Sequence, residues 1–263
     1  MLKDFTEEKF DILIQAGQSN SEGFGIGDVD HPYEPNDQVW YMNRDFTLSW
    51  AAESVMVNEI QSNFSLSFAR NYLNAGLLKD GRKLLILRTA VGGTGFLDNH
   101  WKLTDDHYLR MMEMIRTALG LNKENRLIGL LWHQGETDAT LKATYEVHYN
   151  HLMGLLRSVR EEFNVPELPF IAGDFVHHWK NENLPICVPV VDAIRAVCRD
   201  CGYSAFIETD GLHSNRQELG RNTQCGPDVI EDKIHFSRKS NYILGERYFD
   251  AFINIISRMN ETI

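Results

Sequence analysis

The chain has 263 residues, 43% hydrophobic and 24% charged with 19 Gly and 7 Pro, a balance that excludes a disordered or fibrous polypeptide. Its 37 acidic and 26 basic residues give a formal net charge of −11 without a clustered Lys/Arg face, which argues against a nucleic-acid partner. No apolar run approaches the roughly 20 residues of a membrane-spanning helix, so no membrane partner is expected.

Residues 1–10 lack the charged head and apolar middle of a secretory signal. A cytoplasmic protein, or one whose leader has been removed, is therefore expected. The length suits a single domain over 1–263, and nothing in the chain speaks to oligomeric state. Cys187, Cys198, Cys201 and Cys225 are too few for a disulfide scaffold, and the lone C-x-x-C at 198–201 reads as ordinary buried thiols rather than zinc or redox chemistry.

In chain order, strand-length apolar runs alternate with segments of helical period, the pattern of a parallel sheet covered by helices. A strand over 11–16 leads into an irregular stretch over 23–59, then a helix over 66–78 and a strand over 83–89. After an irregular stretch over 91–101 come a helix over 105–121, a strand over 127–133 and a helix over 139–163. A strand over 168–173, a helix over 188–201 and a strand over 204–208 follow. The irregular segment over 209–236 precedes a last helix over 238–259, with Leu244, Tyr248, Phe249, Phe252 and Ile256 on one stripe. The five strands are nearly continuous in apolarity, as strands buried on both faces are.

Polar groups concentrate where these strands end, the edge at which open parallel sheets bind ligands. The first strand runs into Gly17-Gln18-Ser19-Asn20. Ser19 reads either as a helix N-cap or as a nucleophile, which would need a base, an orienting acid and oxyanion donors from elsewhere. Asp232-Lys233-Ile234-His235 spaces an acid and an imidazole three apart before the last helix. Asp210-Gly211-Leu212-His213 has the same spacing, but His213 leads into a polar run, so context favours His235.

The second strand ends in Val91-Gly92-Gly93-Thr94-Gly95, whose exposed N–H groups suit an oxyanion hole as well as a plain turn. A phosphate loop is disfavoured, because neither G-K-[ST] nor G-x-G-x-x-G is present. The third strand ends in His133-Gln134-Gly135-Glu136-Thr137-Asp138. Thr137 or Asp138 could simply cap the next helix; alternatively Gln134 donates to an oxyanion while His133 and Glu136 buttress the loop. Metal ligation by His133 with Glu136, by His148 with His151, or by His177 with His178 lacks a complete ligand set, so no metal is expected.

These blocks, in this order and at these strand ends, resemble the SGNH hydrolase superfamily. They look specifically like its carbohydrate O-acetylesterase branch, which includes sialic acid acetylesterase-like and acetylxylan esterase-like proteins. The resemblance implies a flavodoxin-like three-layer α/β/α sandwich with a five-stranded parallel sheet. It also implies a triad of Ser19 as nucleophile, His235 as base and then acid, and Asp232 as orienting acid. The implied oxyanion donors are the Ser19 N–H, the Gly92 N–H (with Gly93 as alternative) and the Gln134 side chain, with no cofactor. Ser21 departs from the methionine common after this family's Gly-Gln-Ser-Asn, and the competing α/β-hydrolase elbow G-x-S-x-G lacks its second glycine at Ser21.

The expected function is removal of O-acetyl groups from a small acetylated carbohydrate of xylan or sialic acid type. Two other readings remain open on the sequence. One is a lipid or thioester acyl hydrolase on the same fold; the other is a non-catalytic sugar-binding module using Trp101 or Trp179 as stacking platforms. Arg44, Arg88 and Arg221 are candidates for holding an anionic sugar, and equally for ordinary surface charge.

Overall fold

The computed structural model describes residues 4–56, 58–79, 81–225 and 228–261. The chain opens with β1 (Lys9–Gly17), α1 (Ser19–Glu22), β2 (Val39–Met42), β3 (Leu48–Trp50), β4 (Ser54–Met56) and β5 (Glu59–Gln61). Next come α2 (Phe64–Asn74), β6 (Arg82–Arg88), α3 (Asp106–Leu121), β7 (Arg126–His133), α4 (Glu136–Thr140) and α5 (Tyr145–Glu162). The remainder is β8 (Phe170–Gly173), α6 (His177–Glu182), α7 (Leu184–Asp200), β9 (Ser204–Ile207), α8 (Asn215–Leu219), β10 (Thr223–Cys225), β11 (Asp228–Ile230) and α9 (Arg238–Glu261).

Among the described residues the central sheet has seven strands in the order β3-β2-β6-β1-β7-β8-β9, all parallel except β3. The five expected strands are β1, β6, β7, β8 and β9, and their order is that of the flavodoxin-like doubly wound sheet. The count of five is corrected to seven because β2 and β3 lie inside the stretch expected to be irregular. Val39-Trp40-Tyr41-Met42 is β-branched and aromatic but only four residues long, too short for its periodicity to stand out, and it turns back at once into β3.

Alternate residues of each strand feed two cores, one on each face of the sheet. Ile12, Ile14, Leu85, Leu87, Leu130 and Trp132 pack under α3, α5 and α7. Leu13, Leu84, Ile86, Leu131 and Ile171 pack under α2 and α9. This is the period-two geometry of a sheet covered on both sides. The helices α2 and α9 approach so closely that a Cβ on Gly245 would stand 2.1 Å from the Phe64 carbonyl oxygen.

The helix expected over 139–163 is two, α4 and α5. Lys142 takes a positive φ of 61° and the Ala143 N–H bonds back to the Asp138 carbonyl, closing a turn that residue-type periodicity does not register. Cys187 and Cys198 are buried free thiols, and burial pushes both up to about 12; Cys201 is half-buried, and the Cys225 side chain lies outside the described residues. No helix among the described residues is long and apolar enough to cross a membrane.

Candidate active site

The carboxyl ends of β1, β6 and β7 lie side by side and deliver the polar segments after residues 17, 88 and 133 to one edge of the sheet. The tight exit from β1 depends on Gly17, which has a φ of +124° and whose absent Cβ would stand 2.1 Å from the His133 carbonyl oxygen. The next N–H, that of Gln18, donates to this carbonyl at 2.9 Å. A single helical turn, α1, then begins at Ser19.

Ser19 is not the N-cap of that turn. Gln18 is, without a side-chain cap, and Ser19 Oγ lies instead 2.9 Å from His235 Nε2. His235 Nδ1 stands 2.9 Å from Asp232 Oδ1, at ion-pair range without the alignment of a straight hydrogen bond. Asp232 Oδ1 also accepts the His235 N–H at 3.1 Å, while Oδ2 accepts from Asn215 Nδ2 at 2.8 Å. Burial raises the Asp232 pKa, but the His235 contact and the Asn215 hydrogen bond outweigh it and hold the carboxyl below its usual range. Phe24 stacks on the imidazole with ring centroids 5.1 Å apart.

Asn20 ties the two chain ends together. Its Nδ2 donates to the Ile234 carbonyl at 3.0 Å and to Glu136 Oε1 at 2.7 Å, and its Oδ1 accepts the Phe236 N–H at 3.0 Å, so the backbone is clamped on both sides of His235. Glu136 is buried; loss of hydration raises its pKa despite the Asn20 hydrogen bond. His133 is fully buried and pushed down to about 3 by loss of hydration, with Nδ1 at 3.0 Å from the Tyr248 hydroxyl. Glu136 lines the same cleft as Ser19, whereas His133 does not and is packed against Tyr248, Phe64 and Phe236.

The three donors implied for the oxyanion differ in how they are engaged. No carbonyl among the described residues takes the Ser19 N–H. The Gly92 N–H is already engaged, donating to Glu22 Oε2 at 2.7 Å. Gln134 is fully buried and does not line the cleft; its Nε2 donates to Asp138 Oδ2 at 2.8 Å and to the Thr94 carbonyl at 3.3 Å. Neither Thr137 nor Asp138 caps α4, whose N-cap is Gly135. The Asp138 carboxylate reaches across to the Phe96 and Leu97 N–H groups, and it staples the glycine loop to the end of β7.

These residues border a cleft of about 810 Å³ lined by Ser19, His235, Gly92, Gly93 and Glu136. Sequence reasoning missed Glu22, Phe24, Asp98 and Leu141 in this lining. Only Glu22 had a signal, standing one helical turn after Ser19. Arg44 lines the cleft and pairs with Glu22 Oε1 at 2.8 Å. Arg88 instead stacks over the Tyr41 ring, and Arg221 pairs with Glu59. His213 is exposed, lies 3.3 Å from Glu218 and does not line the cleft. Trp101 is fully buried against Trp132, and Trp179 packs on Phe175, so neither offers a face to the cleft.

His100, Asp106 and His107 are the one group among the described residues that brings three metal-ligating side chains together. His100 Nδ1 lies 2.9 Å from Asp106 Oδ1, and the cluster lies outside the cleft lining. The histidine pairs weighed from sequence do not form such a group among the described residues.

Comparison with known proteins bears on this arrangement. The family model described as carbohydrate esterase, sialic acid-specific acetylesterase matches residues 9–254. The chain is similar to a probable 9-O-acetyl-N-acetylneuraminic acid deacetylase of Escherichia coli (strain K12), 29% identical over 228 residues that cover 66% of this chain and 69% of that protein. It is also similar to a probable carbohydrate esterase of Arabidopsis thaliana, 27% identical over 178 residues that cover 61% of this chain and 66% of that one. Among solved structures, NanS shares the fold with a TM-score of 0.78 at 17% identity, covering 96% of this chain and 99% of that one.

Proposed function

The chain belongs to the sialic acid-specific acetylesterase family of carbohydrate esterases, and from that premise we propose that it removes O-acetyl groups from acetylated sugars through an acetyl-enzyme on Ser19. Membership makes it a carboxylic ester hydrolase; the residue roles and the sialic acid or xylan type of the sugar are our reading. The observation that carries it is the 2.9 Å contact between Ser19 Oγ and His235 Nε2, with Asp232 behind the imidazole.

Ser19 Oγ attacks the acetyl carbonyl as His235 Nε2 takes its proton, and the carbonyl oxygen gains the negative charge. The tetrahedral intermediate collapses, His235 gives the proton to the departing sugar oxygen, and acetate remains esterified to Ser19. Water, losing a proton to His235, attacks that ester, and His235 passes the proton to Ser19 Oγ as acetate leaves. Asp232 stays charged throughout and stabilises the imidazolium. The Ser19 N–H, which no carbonyl among the described residues takes, supports an oxyanion site at the start of α1.

Glu22, Arg44 and Asp98 offer hydrogen-bonding groups to a polar sugar, beside an apolar wall of Phe24, Val91, Leu141, Ile230 and Ile234. Acetate release should be measured on acetylated xylan, 9-O-acetyl-N-acetylneuraminic acid and a long-chain ester. We expect turnover on an acetylated sugar at least ~100-fold above the long-chain ester, a gap within what a site mismatched in polarity gives. The reverse preference would contradict the assignment.

A further inference from the structure

One carboxylate occupies a backbone donor that the family resemblance assigns to the oxyanion. Glu22 Oε2 accepts the Gly92 N–H at 2.7 Å, and Glu22 Oε1 accepts from Arg44 Nη2 at 2.8 Å. All three residues line the same cleft as Ser19 and His235. A carboxylate there spends an N–H that could meet the oxyanion, and it sets a negative charge beside the place where another develops.

The backbone of Glu22 is fixed, since its N–H donates to the Gln18 carbonyl and the Gly23 N–H donates to that of Ser19. The side chain alone must therefore move. It is about one-fifth exposed, and Arg44 more than two-fifths, so solvent lies open to both.

We propose that Glu22 is a latch on the Gly92 donor, opened by a substrate that carries its own carboxylate and engages Arg44. The inference rests on Ser19 as the nucleophile. A second anion on Arg44 brings like charge against Glu22, weakens its hold and turns it outward. A neutral acetyl ester has no such key and must displace the latch with its carbonyl oxygen alone. Glu22 and Arg44 thereby select acetylated sugar acids over neutral acetylated sugars. Glu22 is a gating residue, not a proton carrier, and Arg44 is the residue that reads substrate charge.

The test compares 9-O-acetyl-N-acetylneuraminic acid with its methyl ester, and follows the rate at which a neutral fluorophosphonate labels Ser19. One oxyanion donor is worth about 100-fold or more in turnover, so restoring even part of one should be visible. Glu22→Ala should raise kcat on the methyl ester and the labelling rate about tenfold or more, and should narrow the gap between the methyl ester and the free acid. Glu22→Gln, which keeps the shape without the charge, should raise both by a smaller factor and serves if the alanine variant folds poorly. Arg44→Ala should lower kcat/KM on the free acid about tenfold while raising that on the methyl ester. Unchanged or slower labelling and methyl-ester turnover in the Glu22 variants would overturn the latch alone. Absence of labelling at Ser19 in every form would overturn the nucleophile reading and the latch with it.

Discussion

Asn20 shows how much of the site depends on a side chain that performs no chemistry. Its amide meets Ile234, Phe236 and Glu136, so the strand end carrying Ser19 and the loop carrying His235 share one hinge pin. Asn20→Ala leaves these buried groups unpaired, at a cost of about 1–3 kcal/mol in stability. We expect kcat to fall roughly 10- to 100-fold with KM little changed, because a small displacement of a base from its nucleophile acts on the chemical step. Steady-state kinetics on an acetyl ester check this; a raised KM with unaltered kcat would assign Asn20 to substrate binding instead. Ser19, Asp232 and His235 were legible as residues because each lies in a short recognisable block. Arg44 was legible only as one of three candidate arginines, and its pairing with Glu22 was not, since that pairing spans 22 residues and depends on where two side chains point. Gln134 was legible as a polar residue at a strand end, but Asp138, four residues on, captures its amide, and sequence spacing does not reveal which partner a side chain will prefer.

At the scale of elements, the strands buried on both faces were the most readable part of the chain, because continuous apolarity is what two covering layers demand. The short strands β2 and β3 and the break between α4 and α5 were not, since short pairing and a single left-handed residue leave little trace in residue type. The ends of the central strands away from the site are tied by Asp11, whose Oδ1 accepts from Arg82 Nε and Arg126 Nε at 2.7 Å each and whose Oδ2 accepts from the Tyr72 hydroxyl at 2.8 Å. Burial raises the Asp11 pKa, yet the hydrogen bonds from Arg126, Tyr72 and Arg82 prevail and hold the carboxyl below its usual range. Its stabilising contribution is therefore complete above the unfolded value of about 4 and is lost as pH falls through the lower folded value. Asp11→Asn should cost about 3 kcal/mol at pH 7, as breaking one side of a buried ionic cluster does. Urea unfolding at pH 7 and below pH 3 should show that loss shrinking in acid; equal losses at both would mean the carboxylate's charge is not what holds the three strands.

For the whole molecule, the fold brings Ser19 and His235, 216 residues apart in sequence, to hydrogen-bonding distance. The doubly wound order makes this possible: β1 lies in the middle of the sheet, so the start of the chain exits at the centre of the carboxyl edge. The segment before α9 returns to the same edge, where the Asn215 N–H donates to the His235 carbonyl and Asn215 Oδ1 accepts the Ile26 N–H. A parallel sheet covered by helices could be anticipated from alternating strands and helices, and its flavodoxin-like form from the family resemblance. That return path could not, because the segment over 209–236 has no hydrophobic period to read.

The central claim is covalent chemistry at Ser19, and acid quenching during turnover of an acetyl ester, followed by peptide mass mapping, tests it directly. The account predicts an acetyl group on Ser19 in the wild-type protein and, in Ser19→Ala, neither the adduct nor acetate release. Sustained acetate release by Ser19→Ala at the wild-type rate, or acetylation confined to another residue, would contradict it.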